Sequence, residues 1–224
     1  MSRTIVNTSA AIALTALTTL AGSIAMADPP AKTESTGKPE MQLPPGWTQA
    51  DMQAVVAAAT PGKMHKHLTS GAGVWNCNNT MWMGPDAEPI KTEGTTTITP
   101  ILGGRFIKLE MIGEMPGPGK YKGVAIYGYD KVSDQFVSTW ADNMGTGIAN
   151  GVGELSADGK TLTWTYTYNC PITKKPAVMR EVEKITGPDT RTLVMYGADP
   201  KTGEEFKMMK IELTRESNEA ESSK

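Results

Sequence analysis

Histidine and cysteine are scarce in this chain of 224 residues, with two of each. The histidines, His65 and His67, are two apart, so on a helix they do not share a face. No cysteine or carboxylate stands near them at ligand spacing, and no metal site is expected. Charge of one sign is missing as well: 22 Lys and Arg against 24 Asp and Glu leave a net charge of -2. The signs are interspersed. Nothing basic is concentrated enough to track phosphates, which argues against a nucleic-acid partner. No basic amphipathic face points to a membrane surface. The nucleophile elbow G-x-S-x-G and the Walker loop are absent. Gly103-Gly104 and Gly117/Gly119 fall in turns between strands, where they do not cradle phosphate. No cofactor is expected. No apolar run reaches the roughly 20 residues a membrane helix needs.

What is present begins with two terminal pieces set apart by composition. Residues 1–27 read as a secretory signal: Arg3, a short threonine-rich apolar stretch over 10–20, and the A-x-A site Ala25-Met26-Ala27. An uncleaved anchor is the alternative. Cleavage after Ala27 implies a periplasmic or secreted protein with no membrane attachment afterwards; no cysteine follows the apolar stretch to carry a lipid. Residues 28–46 are rich in Pro, Lys, Glu, Ser and Thr and read as a disordered linker. Residues 216–224 read as a flexible polar tail. Residues 47–215 remain as one domain, large enough for a core. In an oxidising compartment Cys77 and Cys170 are expected to form a disulfide, closing a loop of about 90 residues worth on the order of 4 kcal/mol before strain. Two isolated buried thiols are the alternative.

The domain opens helical and continues as strands. Thr48 and Asp51 form a capping pair ahead of Met52, Val55, Val56 and Ala59, one apolar face of a helix over 48–59. Pro61-Gly62 ends it, and 63–70 carries a second short helical piece. From Val74 the apolar period changes to two. Ten strand-like runs follow at intervals of about 8–12 residues, separated by turn clusters such as Asp158-Gly159 and Gly187-Pro188-Asp189. The cleanest alternation is Thr161, Thr163, Thr165 and Thr167 against Leu162, Trp164, Tyr166 and Tyr168. Such a strand has one face in water and one on a core or cavity. The fold class is therefore mainly β: about ten antiparallel strands in an up-and-down barrel, with the short N-terminal helices plugging one mouth. A two-sheet sandwich is the second reading.

Seven motifs carry a resemblance. They are PGKMHKHL followed by GVW (61–75), MWMGP (81–85), LGGRF (102–106), YGYD (127–130), STWADNMGTG (138–147), DGKTLT (158–163) and IELTR (211–215). In this order they resemble the bacterial family known as domain of unknown function 1579. The resemblance implies a calycin-like (lipocalin-like) barrel and brings no reaction with it. Haem-binding calycin relatives ligate iron through a histidine on a late strand; no histidine follows His67 here. The cysteines and the helix over 48–59 lie outside the family's motifs, so the disulfide is an expectation about this chain alone.

A barrel of eight to ten strands either fills with side chains or holds one small ligand. The expected partner is a small ligand, apolar or acidic, lined by Trp75, Arg105, Tyr127, Tyr129, Trp140, Asp142 and Trp164. Arg105 would meet an acidic head group, or it pairs with Asp142 or Glu110 to hold a barrel end shut. Asp130 and Asp142 either cap turns or perform acid–base work at the barrel mouth. The abundant methionines suit an adaptable lining or plain core filling. A packed barrel serving as an envelope interaction module is the competing function. No catalytic residue is assigned, and the oligomeric state is left open.

Overall fold

A capping box starts the first helix. In the computed structural model the Thr48 hydroxyl accepts the Asp51 N–H at 3.2 Å, and the Asp51 carboxylate accepts the Thr48 N–H at 2.8 Å. Helix α1 (Gln49–Ala59) follows, and α2 (Lys63–Thr69) comes after Pro61-Gly62. The structure describes residues 43–216 except residue 118. The expected signal over 1–27, most of the expected linker over 28–46 and all but the first residue of the expected tail over 216–224 lie outside the described residues.

Ten strands come next: β1 (Gly73–Met81), β2 (Ile90–Ile101), β3 (Phe106–Met115), β4 (Gly119–Asp130), β5 (Gln135–Asp142), β6 (Ala149–Leu155), β7 (Thr161–Asn169), β8 (Pro176–Gly187), β9 (Thr190–Ala198) and β10 (Glu205–Arg215). Each pairs antiparallel with its sequence neighbours, and β1 pairs with β10 from Trp75–Arg215 to Met81–Met209. The sheet is a closed ten-stranded barrel, and closure removes both edges. The sandwich reading falls with it.

The parity of the strands is as the alternation requires. Leu162, Trp164 and Tyr166 of β7 are buried, while Thr165 and Thr167 are exposed. Trp75, Cys77, Asn79 and Met81 of β1 are buried, and Asn76 and Asn78 are exposed. The aromatic inner face needs room, and β6 provides it. Gly151 and Gly153 face Tyr166 and Trp164 across the ladder, and a Cβ on Gly153 would lie 2.7 Å from the Trp164 ring. Gly153→Ala is therefore expected to cost about 1–3 kcal/mol through overpacking. Urea denaturation measures it; an unchanged midpoint would mean that the ring does not bear on the backbone.

The helices do not share the task of plugging the barrel. Only α2 packs on the barrel end: Leu68 is buried in the core, and His65 and His67 lie edge-on to Tyr129 and Phe136. Helix α1 buries no residue, and Val55 and Val56 are exposed. Its apolar face finds no partner among the described residues. What holds it is its C-terminal end, where orphan carbonyls attract cations. The Arg105 Nε donates to the Ala59 carbonyl at 3.0 Å, and the Lys131 Nζ donates to the Thr60 carbonyl at 3.1 Å.

The expected Cys77–Cys170 disulfide is not formed; both thiols are free and buried. Cys77 lies inside on β1, with its Sγ 3.3 Å from the Thr96 hydroxyl oxygen. Cys170 sits in the turn after β7, where its N–H donates to the Lys175 carbonyl at 2.9 Å. By the shorter way round the ring, β10, β9 and β8 stand between β1 and β7. Four strand spacings of about 4.8 Å separate them, whereas a disulfide needs Cα atoms within about 7 Å.

Candidate functional site

The inward faces of the strands enclose a cavity of about 520 Å³ that opens at the end away from α2. This is within the roughly 300–1,000 Å³ range of small-molecule pockets. Its wall is mainly apolar. Met81, Met111, Met179, Met195 and Met209 contribute to it, with Leu109, Ile211 and Leu213. Unbranched methionines let such a wall adapt to the shape of a guest. Met144 and Ile148, both exposed, stand at the mouth between β5 and β6. A second cavity of about 60 Å³ lies under α2, lined among others by His67, Trp164, Glu183 and Arg191. Leu109, Tyr127, Glu181, Leu193 and Leu213 line both spaces and form the layer between them.

Most of the polar groups deep in the large cavity and at its mouth have their hydrogen bonds arranged locally. Asp142 ends β5 at the mouth. One of its oxygens accepts the Trp140 indole N–H at 3.0 Å and the Tyr121 hydroxyl at 3.3 Å; the other accepts the Met144 N–H at 2.9 Å. Burial, reinforced by the Asp142 charge, raises the Tyr121 phenol well above its usual value and keeps it protonated as the donor. Deeper in, the Ser138 hydroxyl donates to the Tyr166 oxygen at 3.0 Å, and the Tyr166 hydroxyl donates to the Tyr127 oxygen at 3.4 Å. Burial also keeps Tyr127 and Tyr166 in the phenol form.

Two polar groups are different. The Oδ1 of Asn79 is buried and has no hydrogen-bond partner among the described residues. Glu181 is 5% exposed, and no donor among the described residues reaches its carboxyl. Burial, with the neighbouring Glu183 carboxylate, pushes the Glu181 carboxyl up to about 8. The described lining includes Glu114, Asp142 and Glu181 but no lysine, arginine or histidine.

Of the residues expected to line a site, Tyr127, Trp140 and Asp142 line the large cavity. Trp164 lines the small one, and its buried Nε1 has no hydrogen-bond partner among the described residues. Trp75 lies at the plugged end. Its indole N–H donates to the Gly71 carbonyl at 2.9 Å, and the Arg215 and Arg191 guanidiniums sit 4.3 and 5.0 Å from its ring centre. Tyr129 also stands at that end, hydrogen-bonded to Asp134. Arg105 is exposed and turned outward; its hydrogen bonds go to the carbonyls of Ala59 and Leu102. It meets neither Asp142 nor Glu110, and no head group in the cavity can reach it. Leu102, Gly103 and Gly104 all have positive φ, at 50, 67 and 77°, and this turn carries Arg105 off the inner face. Asp130 holds its own turn, accepting the Val132 N–H and the Ser133 hydroxyl, each at 2.8 Å.

Sequence reasoning missed Glu181 and Asn79. Asn79 shares the inward parity of Cys77 and Met81 and was readable from β1. Glu181 was not. In β8 apolar residues occupy both parities, with Met179 and Ile185 on one and Val178 and Val182 on the other. Only the pairing of Glu181 with Trp164 shows which parity turns inward.

The barrel is similar to solved structures in fold. Rv2717c from M. tuberculosis superposes with a TM-score of 0.55 at 14% identity, covering 70% of this chain and 100% of that one. The S-type phycobiliprotein lyase CPES from Guillardia theta superposes with a TM-score of 0.51 at 12% identity, covering 70% of this chain and 94% of that one. No curated protein matches the chain. The family described as "Protein of unknown function (DUF1579)" matches residues 60–215, from the end of α1 through β10. That span takes in the plugging helix and all ten strands, and the chain belongs to this family.

Proposed function

We propose that the protein is a non-catalytic carrier, acting in the periplasm or after secretion, that holds one small and largely apolar molecule in its barrel. The observation that carries this reading is the cavity of about 520 Å³ with a methionine-rich wall, open at one end and plugged at the other. A barrel packed solid, the form expected for an interaction module here, would have filled that volume. Export rests on the signal-like composition of residues 1–27. The phycobiliprotein lyase has a related fold, and the likeness goes no further. Asp130 is occupied in a turn and Asp142 in three hydrogen bonds at the mouth, which gives the barrel-mouth enzyme less to work with.

The test is saturable binding of a neutral apolar dye, Nile red, followed by its fluorescence. Wild type is expected to bind one equivalent. Ala149 lines the cavity opposite Trp140 on the neighbouring strand. Ala149→Trp fills that space, and its affinity is expected to fall at least tenfold while the melting temperature stays within a few degrees. Absence of saturable binding by the wild type would overturn the carrier reading and favour the interaction module.

A further inference from the structure

We propose that the deep end of the cavity recognises the ammonium head of an amphiphilic amine, with Glu181 as its counter-ion. The inference rests on the carrier reading and adds the chemical class of the guest.

Glu181 is 5% exposed, faces the large cavity and has no hydrogen-bond or ion-pair partner among the described residues. A buried carboxyl without a donor weakens the fold. Glu181 stands on the inner face of β8, opposite Trp164. A guest that brings its own cation supplies the missing partner. The rest of the lining agrees on the sign of that guest. Glu114 and Asp142 are acidic, and the unpaired Asn79 Oδ1 is an acceptor. No lysine, arginine or histidine among the described lining residues offers a site to an acid. A cleft of one sign with low-dielectric walls concentrates opposite charge. A carboxylic-acid guest, which an inward Arg105 would have selected, finds hydroxyl donors but no cation among the described lining residues.

The surroundings of Glu181 leave it open to such a partner. Tyr127 and Tyr166 face it from β4 and β7 as protonated phenols. Glu183, two residues on, is already paired with Arg191 at 2.6 Å. Arg191, His67 and Lys160 lie around the small cavity on the plugged side, and none of them forms an ion pair with Glu181. An ammonium entering from the mouth therefore meets a carboxyl with no competing cation.

Because the empty site holds Glu181 largely protonated at neutral pH, seating an ammonium expels one proton. Affinity for an amine is then expected to rise about tenfold from pH 6 to pH 7. A neutral guest gains nothing over that interval.

Three probes with one tail and different heads test the inference: decylamine, decanol and decanoate, titrated calorimetrically into the purified protein at pH 8. Decylamine is expected to bind at least tenfold more tightly than either of the others. Glu181→Gln is expected to remove that advantage and leave decanol binding within about threefold. If Glu181→Gln does not fold, the rise of decylamine affinity between pH 6 and pH 7 in wild type stands in its place. Decanol or decanoate binding as tightly as decylamine would overturn the ammonium assignment and leave the carrier reading standing. A decylamine affinity that neither changes with pH nor responds to Glu181→Gln would do the same. Failure of all three probes, together with failure of Nile red, would remove both.

Discussion

Glu181→Gln is expected to stabilise the protein at neutral and alkaline pH, the opposite of what most substitutions of buried residues do. The sign follows from proton linkage. In the folded protein the Glu181 carboxyl is pushed up to about 8 by burial and by Glu183; unfolded, it returns to about 4.5. Below pH 4.5 it is protonated in both states and costs nothing beyond its missing donor. Between pH 4.5 and 8 the unfolded chain releases the proton and the folded one keeps it. Wild type therefore loses roughly 1.4 kcal/mol for each pH unit across that window. Glutamine has nearly the same volume and does not titrate. The two proteins are expected to match within about 1 kcal/mol at pH 4.5 and to diverge by on the order of 4 kcal/mol at pH 8.5. Urea denaturation of both proteins at a series of pH values gives the difference directly, and contributions from His65 and His67 cancel in it. A difference that stays flat with pH would mean that Glu181 finds a partner in the folded protein. A site that weakens its own fold until its partner arrives is a common consequence of building for function.

Trp75→Ala has the largest expected cost, about 4–5 kcal/mol. The ring is fully buried, its N–H is bonded to the Gly71 carbonyl, and two guanidiniums cover it. Removing it leaves a cavity at the plugged end and an unpaired carbonyl at the exit of α2. Arg215 would keep its hydrogen bonds to the Ser70 and Ala72 carbonyls and Arg191 its bond to Glu183, but both would lose the ring beneath them. A domain of this size has about 5–15 kcal/mol of stability in total, so most of it would go. Trp140→Ala supplies the comparison. That ring borders the open cavity and is only partly buried, so its loss is expected to cost less than half as much. Equal shifts in the urea midpoint would show that the plugged end carries no more of the stability than the mouth.

Much of this was legible in the residues. Thr48 and Asp51 announced the helix they cap. The alternation from Thr161 to Tyr168 stated which side of β7 is wet. Turn residues separated ten strands, and the seven motifs placed the chain in its family. These features are local: each depends on residues within a few positions, and the backbone alone converts their spacing into direction. The misread residues needed information from elsewhere in the chain. Arg105 looked inward from its strand, but the left-handed turn before it sends it to the end of α1. Cys77 and Cys170 looked like a pair, but the ring sets four strand spacings between them. The apolar face of α1 promised burial, and the barrel had room at its end only for α2.

The amino-acid order on its own settled the class of fold, the strands and the faces of those with clean alternation. The folded barrel alone decided that the sheet closes, that a space remains inside it, and that Glu181 stands in that space with no partner among the described residues. The reason is physical: alternation divides a strand into two sides without saying which is the inner one. Where both sides carry apolar residues, as in β8, only the register against a neighbour whose sides are unambiguous makes that choice.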